Sequence, residues 1–296
     1  MTERPAGPDL SPTFTNAKAE RVKQIRALAG RSARSKTGRF LVEGPQAVRE
    51  AVRFVPKRVR DLYLTPDAAT RYSEIVADAH AGDIYLHVGT PAVLEAMSPD
   101  AQGVVAVLDN AGVSLDDVLA ADTSPRLVVV LSNVRDPSNA GTAIRVADAA
   151  GADAVVLAGE SVDPTNPKVV RASAGSLFHL PVVRSLPLDD ALVALAVAGL
   201  QIVAADGSGS SELGDGDAGE DFLAKPTVWV FGNEAWGLRA EELALADSVV
   251  RIPIYGRAES LNLATAASVC LFASARAQRS AASNLGQLSP ETPRLR

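Results

Sequence analysis

Asn133-Val134-Arg135-Asp136-Pro137-Ser138-Asn139-Ala140-Gly141-Thr142-Ala143-Ile144-Arg145 joins an unbroken apolar run, Leu127 to Leu131, to an alanine-rich stretch, Ala143 to Ala150. The apolar run is short and valine-rich, the signature of a buried strand. The stretch that follows reads as a helix. A turn that only reversed the chain would need the proline and the glycine. It would not need Asn133, Arg135, Asn139 and Arg145 as well. A loop followed by the first helical turns can aim Asn139 and Arg145, six residues apart, at one point. Open α/β sheets bind their ligands at the carboxyl ends of strands, so this turn is the first place to look for an active site.

The pattern repeats downstream. Apolar segments at 154–157, 182–183, 201–205, 227–231 and 248–252 read as strands with helices between them. This alternation implies an α/β domain with a largely parallel sheet covered on both faces. The domain is expected to span 126–280, ending in an alanine-rich helix from Asn262 to about Arg279. Residues 206–221 are glycine, aspartate and serine almost throughout and read as a mobile loop. Upstream, 16–110 forms a second, smaller α/β unit, with strands expected at 39–42, 59–64, 84–88 and 104–108. Within it, 31–38 reads as a basic, flexible loop, and 111–125 reads as a linker. Tails at 1–15 and 281–296 are expected to be disordered.

Composition narrows the function classes. Apolar residues make up 47% of the 296 positions but aromatics only 4%, so a large core must be built mainly from Ala, Val and Leu. A single cysteine, Cys270, excludes an internal disulfide framework and a cysteine-based zinc site, and fits a reducing cytoplasm. The amino-terminal residues lack an apolar signal segment, and no apolar run is long enough to span a membrane. A cytoplasmic protein is expected. His80, His87 and His179 are scattered and read as surface or packing residues, so no metal is expected.

The net charge of −6 argues against a nucleic-acid partner until its distribution is read. Between Lys18 and Arg60 thirteen Lys or Arg face only Glu20, Glu43 and Glu50, so that segment carries +10 and the remainder −16. A basic end on an acidic body points to a polyanion such as RNA. A solvated helical surface is the plainer alternative.

Two further clusters follow strands. One is Phe231-Gly232-Asn233-Glu234-Ala235-Trp236-Gly237-Leu238; the other runs from Ile252-Pro253-Ile254 through Glu259-Ser260-Leu261-Asn262-Leu263-Ala264 to Ala266. Neither contains G-x-G-x-x-G or G-x-x-x-x-G-K-[ST], so a nicotinamide or ATP site of the usual kind is unsupported. In this order the three clusters resemble the SpoU (TrmH-type) branch of the SPOUT superfamily, RNA ribose 2′-O-methyltransferases that use S-adenosylmethionine. The motifs are Asn-x-x-Asp-Pro-x-Asn-x-Gly-x-x-x-Arg at 133–145, Gly-Asn-Glu-x-x-Gly at 232–237, and Ile-Pro-Ile with Glu-Ser-Leu-Asn-Leu-Ala-x-Ala within 252–266. More faintly, Phe40-Leu-Val-Glu-Gly-Pro45 and Gln102-Gly-Val-Val-Ala106 are similar to the family's small, ribosomal-protein-like RNA-binding domain, as in members that act on 23S rRNA.

The resemblance implies a deep trefoil knot in the carboxyl-terminal domain, an exception to unknotted topology, and a homodimer. It implies that Phe231, Gly232, Asn233, Gly237, Ile252, Ile254, Leu261 and Asn262 hold S-adenosylmethionine. It implies a catalytic set of Arg145, Asn139, Glu234, Ser260 and Asn262. Arg145 either takes the 2′-hydroxyl proton or holds the ribose and phosphate. Guanidinium groups stay protonated at workable pH, so holding is the cheaper role. Asn139 either orients Arg145 or the substrate, or is a turn residue. Glu234 accepts hydrogen bonds from the arginine or the substrate, or is structural. Ser260 and Asn262 act in the site or cap the last helix. Asp136 is expected to shape its turn, Trp229 to lie in the core, and Trp236 to stand beside the pocket. Arg31, Arg34, Lys36 and Arg39 are expected to meet phosphates, and Arg171 is a further RNA-contact candidate. Ribosomal RNA is the expected substrate. A tRNA enzyme and a non-catalytic ribosome-assembly factor are the alternatives.

Overall fold

The computed structural model describes residues 10–121 and 124–287. The expected tails at 1–9 and 288–296 lie outside the described residues, as do 122 and 123 of the expected linker. The described residues form two compact units, one of 10–111 together with 165–179, the other of 112–164 and 180–287 apart from 122 and 123.

The first unit is built on four strands, β1 (Arg39–Glu43), β2 (Val59–Leu64), β3 (Leu86–Val88) and β4 (Val104–Asp109), in the order β1-β4-β2-β3. β4 runs antiparallel to β1 and β2, and β2 runs parallel to β3, so the sheet is mixed. Strand residues alternate between faces, and here each face has its own core. Phe40, Val42, Leu62 and Leu64 pack with Val48 and Val52 of helix Pro45–Phe54. Leu41, Tyr63 and Val105 pack on the other face with Val22 and Ile25 of helix Glu20–Ala27.

Residues 165–179 were expected inside the carboxyl-terminal domain, yet they belong to this first unit. Val170 and Phe178 are buried in its core, and the Arg171 guanidinium pairs with Glu43 and, at 2.7 Å, with Asp100. The stretch expected as a basic loop is a helix, Arg31–Thr37, closed by Gly38 at φ 64°.

The second unit holds seven parallel strands: β5 (Leu127–Ser132), β6 (Ala154–Ala158), β7 (Val182–Leu186), β8 (Gln201–Ala205), β9 (Ser211–Glu212), β10 (Thr227–Phe231) and β11 (Ser248–Arg251). Their order is β7-β6-β5-β10-β8-β11-β9. From β5 the chain steps outward through β6 to β7; the later strands then fill the other side, with β10 beside β5. The strand order therefore reverses between β5 and β10, and their carboxyl ends lie side by side at the switch point. One face of the sheet packs Val128, Val130, Val228 and Val230 against Leu192 and Leu195 of helix Leu188–Val197. The opposite face is covered by helices Pro137–Ala150 and Leu263–Gln287. Trp229 is fully buried, and its indole N–H donates to Ser274 Oγ at 2.9 Å, which satisfies the one polar atom the ring brings inside.

Three local expectations change here. The linker carries a helix, Leu115–Leu119, begun by a Ser114/Asp117 capping box, and Leu115 and Val118 sink into the second unit's core. The glycine- and serine-rich loop is structured: it supplies edge strand β9, paired with β11, and a short helix Glu220–Leu223. The last helix continues through Gln287, into the stretch expected to fray. The buried Cys270 thiol has its pKa pushed up by desolvation, which removes it as a nucleophile. No helix among the described residues is long and apolar enough to cross a membrane.

A polar knot on the first sheet yields a test. Asp61 accepts from Arg21 at 2.5 Å and lies 3.0 Å from His87 Nε2, while Arg21 Nε donates to the Tyr63 hydroxyl at 2.7 Å. Burial lifts the Tyr63 phenol to about 12. The His87 hydrogen bond, with Arg21 beside it, holds the Asp61 carboxyl below its ordinary value although burial pushes the other way. Because the folded value is the lower one, the stabilisation is complete above about pH 4 and is lost as pH falls through the folded value. Asp61→Asn is expected to cost about 1 kcal/mol in urea unfolding at neutral pH and much less at about pH 3. An equal cost at both pH values contradicts the assignment.

Candidate active site

The loops leaving β5 and β10 at the switch point build the site. After β5, Asn133 takes a left-handed φ of 54°. Asp136 caps helix Pro137–Ala150, accepting from Ser138 N at 2.7 Å and Asn139 N at 2.9 Å, with Pro137 in the first helical turn. This is the turn-shaping part expected of Asp136. After β10, residues 233 and 237 exchange both backbone hydrogen bonds, at 3.0 and 2.9 Å. A Cβ on Gly232 would stand 2.2 Å from the Gly237 carbonyl carbon, so only glycine permits the loop to close on itself. Asn233 locks this loop to the first by donating to Asn133 O at 2.6 Å.

A chain of side-chain hydrogen bonds then joins all three clusters. Glu234 Oε1 accepts from Asp136 N at 3.1 Å and Asn139 Nδ2 at 3.2 Å, and its Oε2 accepts from Arg135 N at 3.3 Å. Asn139 Oδ1 accepts from Asn262 Nδ2 at 2.9 Å. Asn262 Oδ1 in turn accepts from Ala264 N at 2.9 Å, which caps the final helix. Asn262 thus caps and reaches into the site at once.

These loops enclose a cavity of about 490 Å³, a size suited to a nucleoside-scale ligand. Phe231, Gly232, Asn233, Gly237, Ile252, Ile254, Leu261 and Asn262 all line it, as do Asn139, Glu234 and Ser260. Its apolar wall can take a flat ring, and the lack of side chains at Gly207, Gly232 and Gly237 lets a ligand come close to the backbone. Sequence reasoning missed Ala205, Asp206 and Gly207, which reach the cavity from the carboxyl end of β8, and Glu259. The position of Asp206-Gly207 at a strand's end was the available signal, and their place in a loop read as mobile hid it. Trp236 is 45% exposed, with the Arg135 guanidinium 5.6 Å from its ring centre.

Arg145 does not line the cavity. Both it and Asn139 lie on helix Pro137–Ala150, and six residues at about 100° each turn them to different faces. The expectation that this chain aims both at one point is therefore corrected. Arg145 is exposed, and among the described residues its guanidinium has no hydrogen-bond or ion-pair partner.

The basic segment also divides. Arg34 is 3% exposed and donates to Leu28 O, Ala29 O and Thr165 Oγ1, so it is a structural residue and not a phosphate contact. Arg39 lies 3.6 Å from Asp109, and Arg171 is held by Glu43 and Asp100. Arg49 and Arg53 pair with Glu74 and Asp78. Among the described residues Lys18, Arg26, Arg31, Lys36 and Lys57 are exposed with no such partner, and four of these five lie on or beside helices Glu20–Ala27 and Arg31–Thr37.

The SpoU rRNA methylase family matches residues 126–272, and an MRM3-like substrate binding domain matches 19–106. The chain is 34% identical over 262 residues to the 23S rRNA (guanosine(2553)-2′-O)-methyltransferase of Bacillus subtilis, covering 87% of this chain and 96% of that protein. It is also 34% identical over 275 residues to the 23S rRNA (uridine(2479)-2′-O)-methyltransferase of Streptomyces viridochromogenes, covering 86% and 89%. Among solved structures, an AdoMet-bound rRNA methyltransferase from Sinorhizobium meliloti superposes with a TM-score of 0.76 at 33% identity, covering 89% of this chain and 97% of that one.

Glu234→Ala removes the acceptor of two backbone amides and of the Asn139 side chain. These groups are exposed and water can replace the carboxylate, so the expected cost is about 0.5–1.5 kcal/mol in urea unfolding. Gly232→Ala must force the loop's backbone apart and is expected to cost at least as much. An unchanged unfolding midpoint in either variant contradicts the loop closure described.

Proposed function

The chain belongs to the SpoU rRNA methylase family, and we propose that the cavity joining its three motifs is where it carries out the family's reaction. It is an S-adenosylmethionine-dependent methyltransferase that modifies a ribose 2′-hydroxyl of ribosomal RNA. The observation that carries the placement is the single cavity in which Asn139, Glu234, Ser260 and Asn262 meet an apolar slot. S-adenosylmethionine supplies the methyl group. The slot of Ile252, Ile254 and Leu261 holds its adenine, and the tight loop 232–237 lets backbone approach its ribose.

The carboxyl-terminal domain is proposed to be knotted and to work as a homodimer in the cytoplasm. Supporting the knot, β10 lies between β5 and the earlier strand β8, and the final helix starts from a cap hydrogen-bonded back to Asn139. Supporting the dimer, Val269 and Phe272 are 39% and 49% exposed on the final helix. An unpartnered Arg145 outside its own cavity also suits a residue that serves the partner's site. There Arg145 holds the target ribose and its phosphate and stabilises the oxygen as it loses its proton. Asn139 and Glu234 keep the loops around that oxygen fixed, and positioning of this kind supplies much of the rate in such reactions. Residues 16–110 are proposed as the RNA-binding domain, through the free cations of its first two helices, which neutralise phosphates without reading sequence.

Arg145→Ala is expected to lower methylation of rRNA by at least about 100-fold while leaving S-adenosylmethionine affinity, measured calorimetrically, within about twofold. Full activity would remove Arg145 from the mechanism. Reversing charge at Arg26, Arg31 and Lys36 together is expected to weaken RNA binding and flatten its salt dependence by about three units of slope, with cofactor affinity unchanged. An unaltered salt slope would place the RNA elsewhere.

A further inference from the structure

We propose that Asp206 is a specificity residue of the cofactor cavity: its carboxylate favours S-adenosylmethionine over the demethylated product, S-adenosylhomocysteine. The inference rests on the cavity being the S-adenosylmethionine site.

Asp206 stands at the carboxyl end of β8 and lines the cavity. Its backbone is anchored on both sides, with its N–H donating to Val250 O at 3.1 Å and its carbonyl accepting from Gly209 N at 3.1 Å. Oδ1 accepts from Ser208 N at 2.9 Å and Ser208 Oγ at 2.7 Å, which fixes the rotamer. Oδ2 has no donor among the described residues and faces Gly237: a Cβ there would lie 3.3 Å from it. The turn thus spends one oxygen on holding the carboxylate and leaves the other presented beside the loop that closes the cavity.

The charges around it make this carboxylate selective. Among the described residues no Lys, Arg or His lines the cavity. Of its other carboxylates, Glu234 already takes three hydrogen bonds and Glu259 is exposed to solvent. The ligand carries a sulfonium before methyl transfer and an uncharged thioether after it, while its amino-acid and nucleoside parts are unchanged. A fixed negative charge therefore holds the substrate form more strongly than the product form. A carboxylate lining a cavity of about 490 Å³ is within about 10 Å of any sulfonium held there, and across such a half-solvated distance one charge is worth about a fivefold preference.

The test is calorimetric titration of the full chain with S-adenosylmethionine and, separately, S-adenosylhomocysteine. Asp206→Asn keeps an oxygen for Ser208 and removes the charge. It is expected to weaken S-adenosylmethionine about fivefold and S-adenosylhomocysteine less than about twofold. Equal weakening of both, or no change in either, overturns the proposal. A wild-type chain that binds neither ligand contradicts the function itself instead. A second measurement needs no variant: the wild-type preference for S-adenosylmethionine should shrink as salt is raised, and a preference independent of salt also overturns the proposal.

Discussion

The hydrogen bonds running from Glu234 through Asn139 to Asn262 hold this candidate site together. They span 95 and 123 residues of sequence, so each link ties together segments that lie far apart in the chain. The asparagines use both ends of their amides, donating with nitrogen and accepting with oxygen, so the chain has one direction and one geometry. Glu234 also receives two backbone N–H groups ahead of helix Pro137–Ala150, where a negative charge is favoured by the helix dipole. The carboxylate that orders the turn after β5 is therefore supplied by the loop after β10. Neither loop has its shape without the other.

This arrangement is possible because the strand order reverses between β5 and β10. Two parallel strands at a switch point release their loops in opposite directions and leave a crevice between them. Gly232 then lets the second loop fold tightly enough for Asn233 to reach the Asn133 carbonyl. β5 and β10, buried along their whole length and apolar except for Ser132 and Thr227, give the loops a firm base.

Much of this was legible in the sequence, and what was legible was local. The strands read correctly because a run such as Leu127–Leu131 has no polar residue to place it anywhere but inside. The three loops that share the cavity stand out in the sequence because each concentrates glycine and amides directly after such a run. The rest depended on distant contacts. Arg34 looked like a phosphate ligand, and only the fold brings the Leu28 and Ala29 carbonyls and Thr165 around it. Residues 165–179 looked like part of the second domain, because nothing local reveals that Val170 and Phe178 fill the first unit's core. Ser211–Glu212 has no strand pattern, and its pairing with β11 is a property of the partner. Asn139 and Arg145 share one motif, yet helical geometry turns them apart. That separation leaves Arg145 exposed and outside the lining of the cavity that Asn139 enters.

The central claim is that this cavity delivers a methyl group to a ribose oxygen of ribosomal RNA. The most direct measurement incubates the chain with methyl-labelled S-adenosylmethionine and ribosomal RNA, free and in subunits, and identifies the labelled nucleoside after complete digestion. The account predicts label in a 2′-O-methylnucleoside from one position of the RNA. Label on a base, or none in any RNA form while S-adenosylmethionine binds, would contradict it.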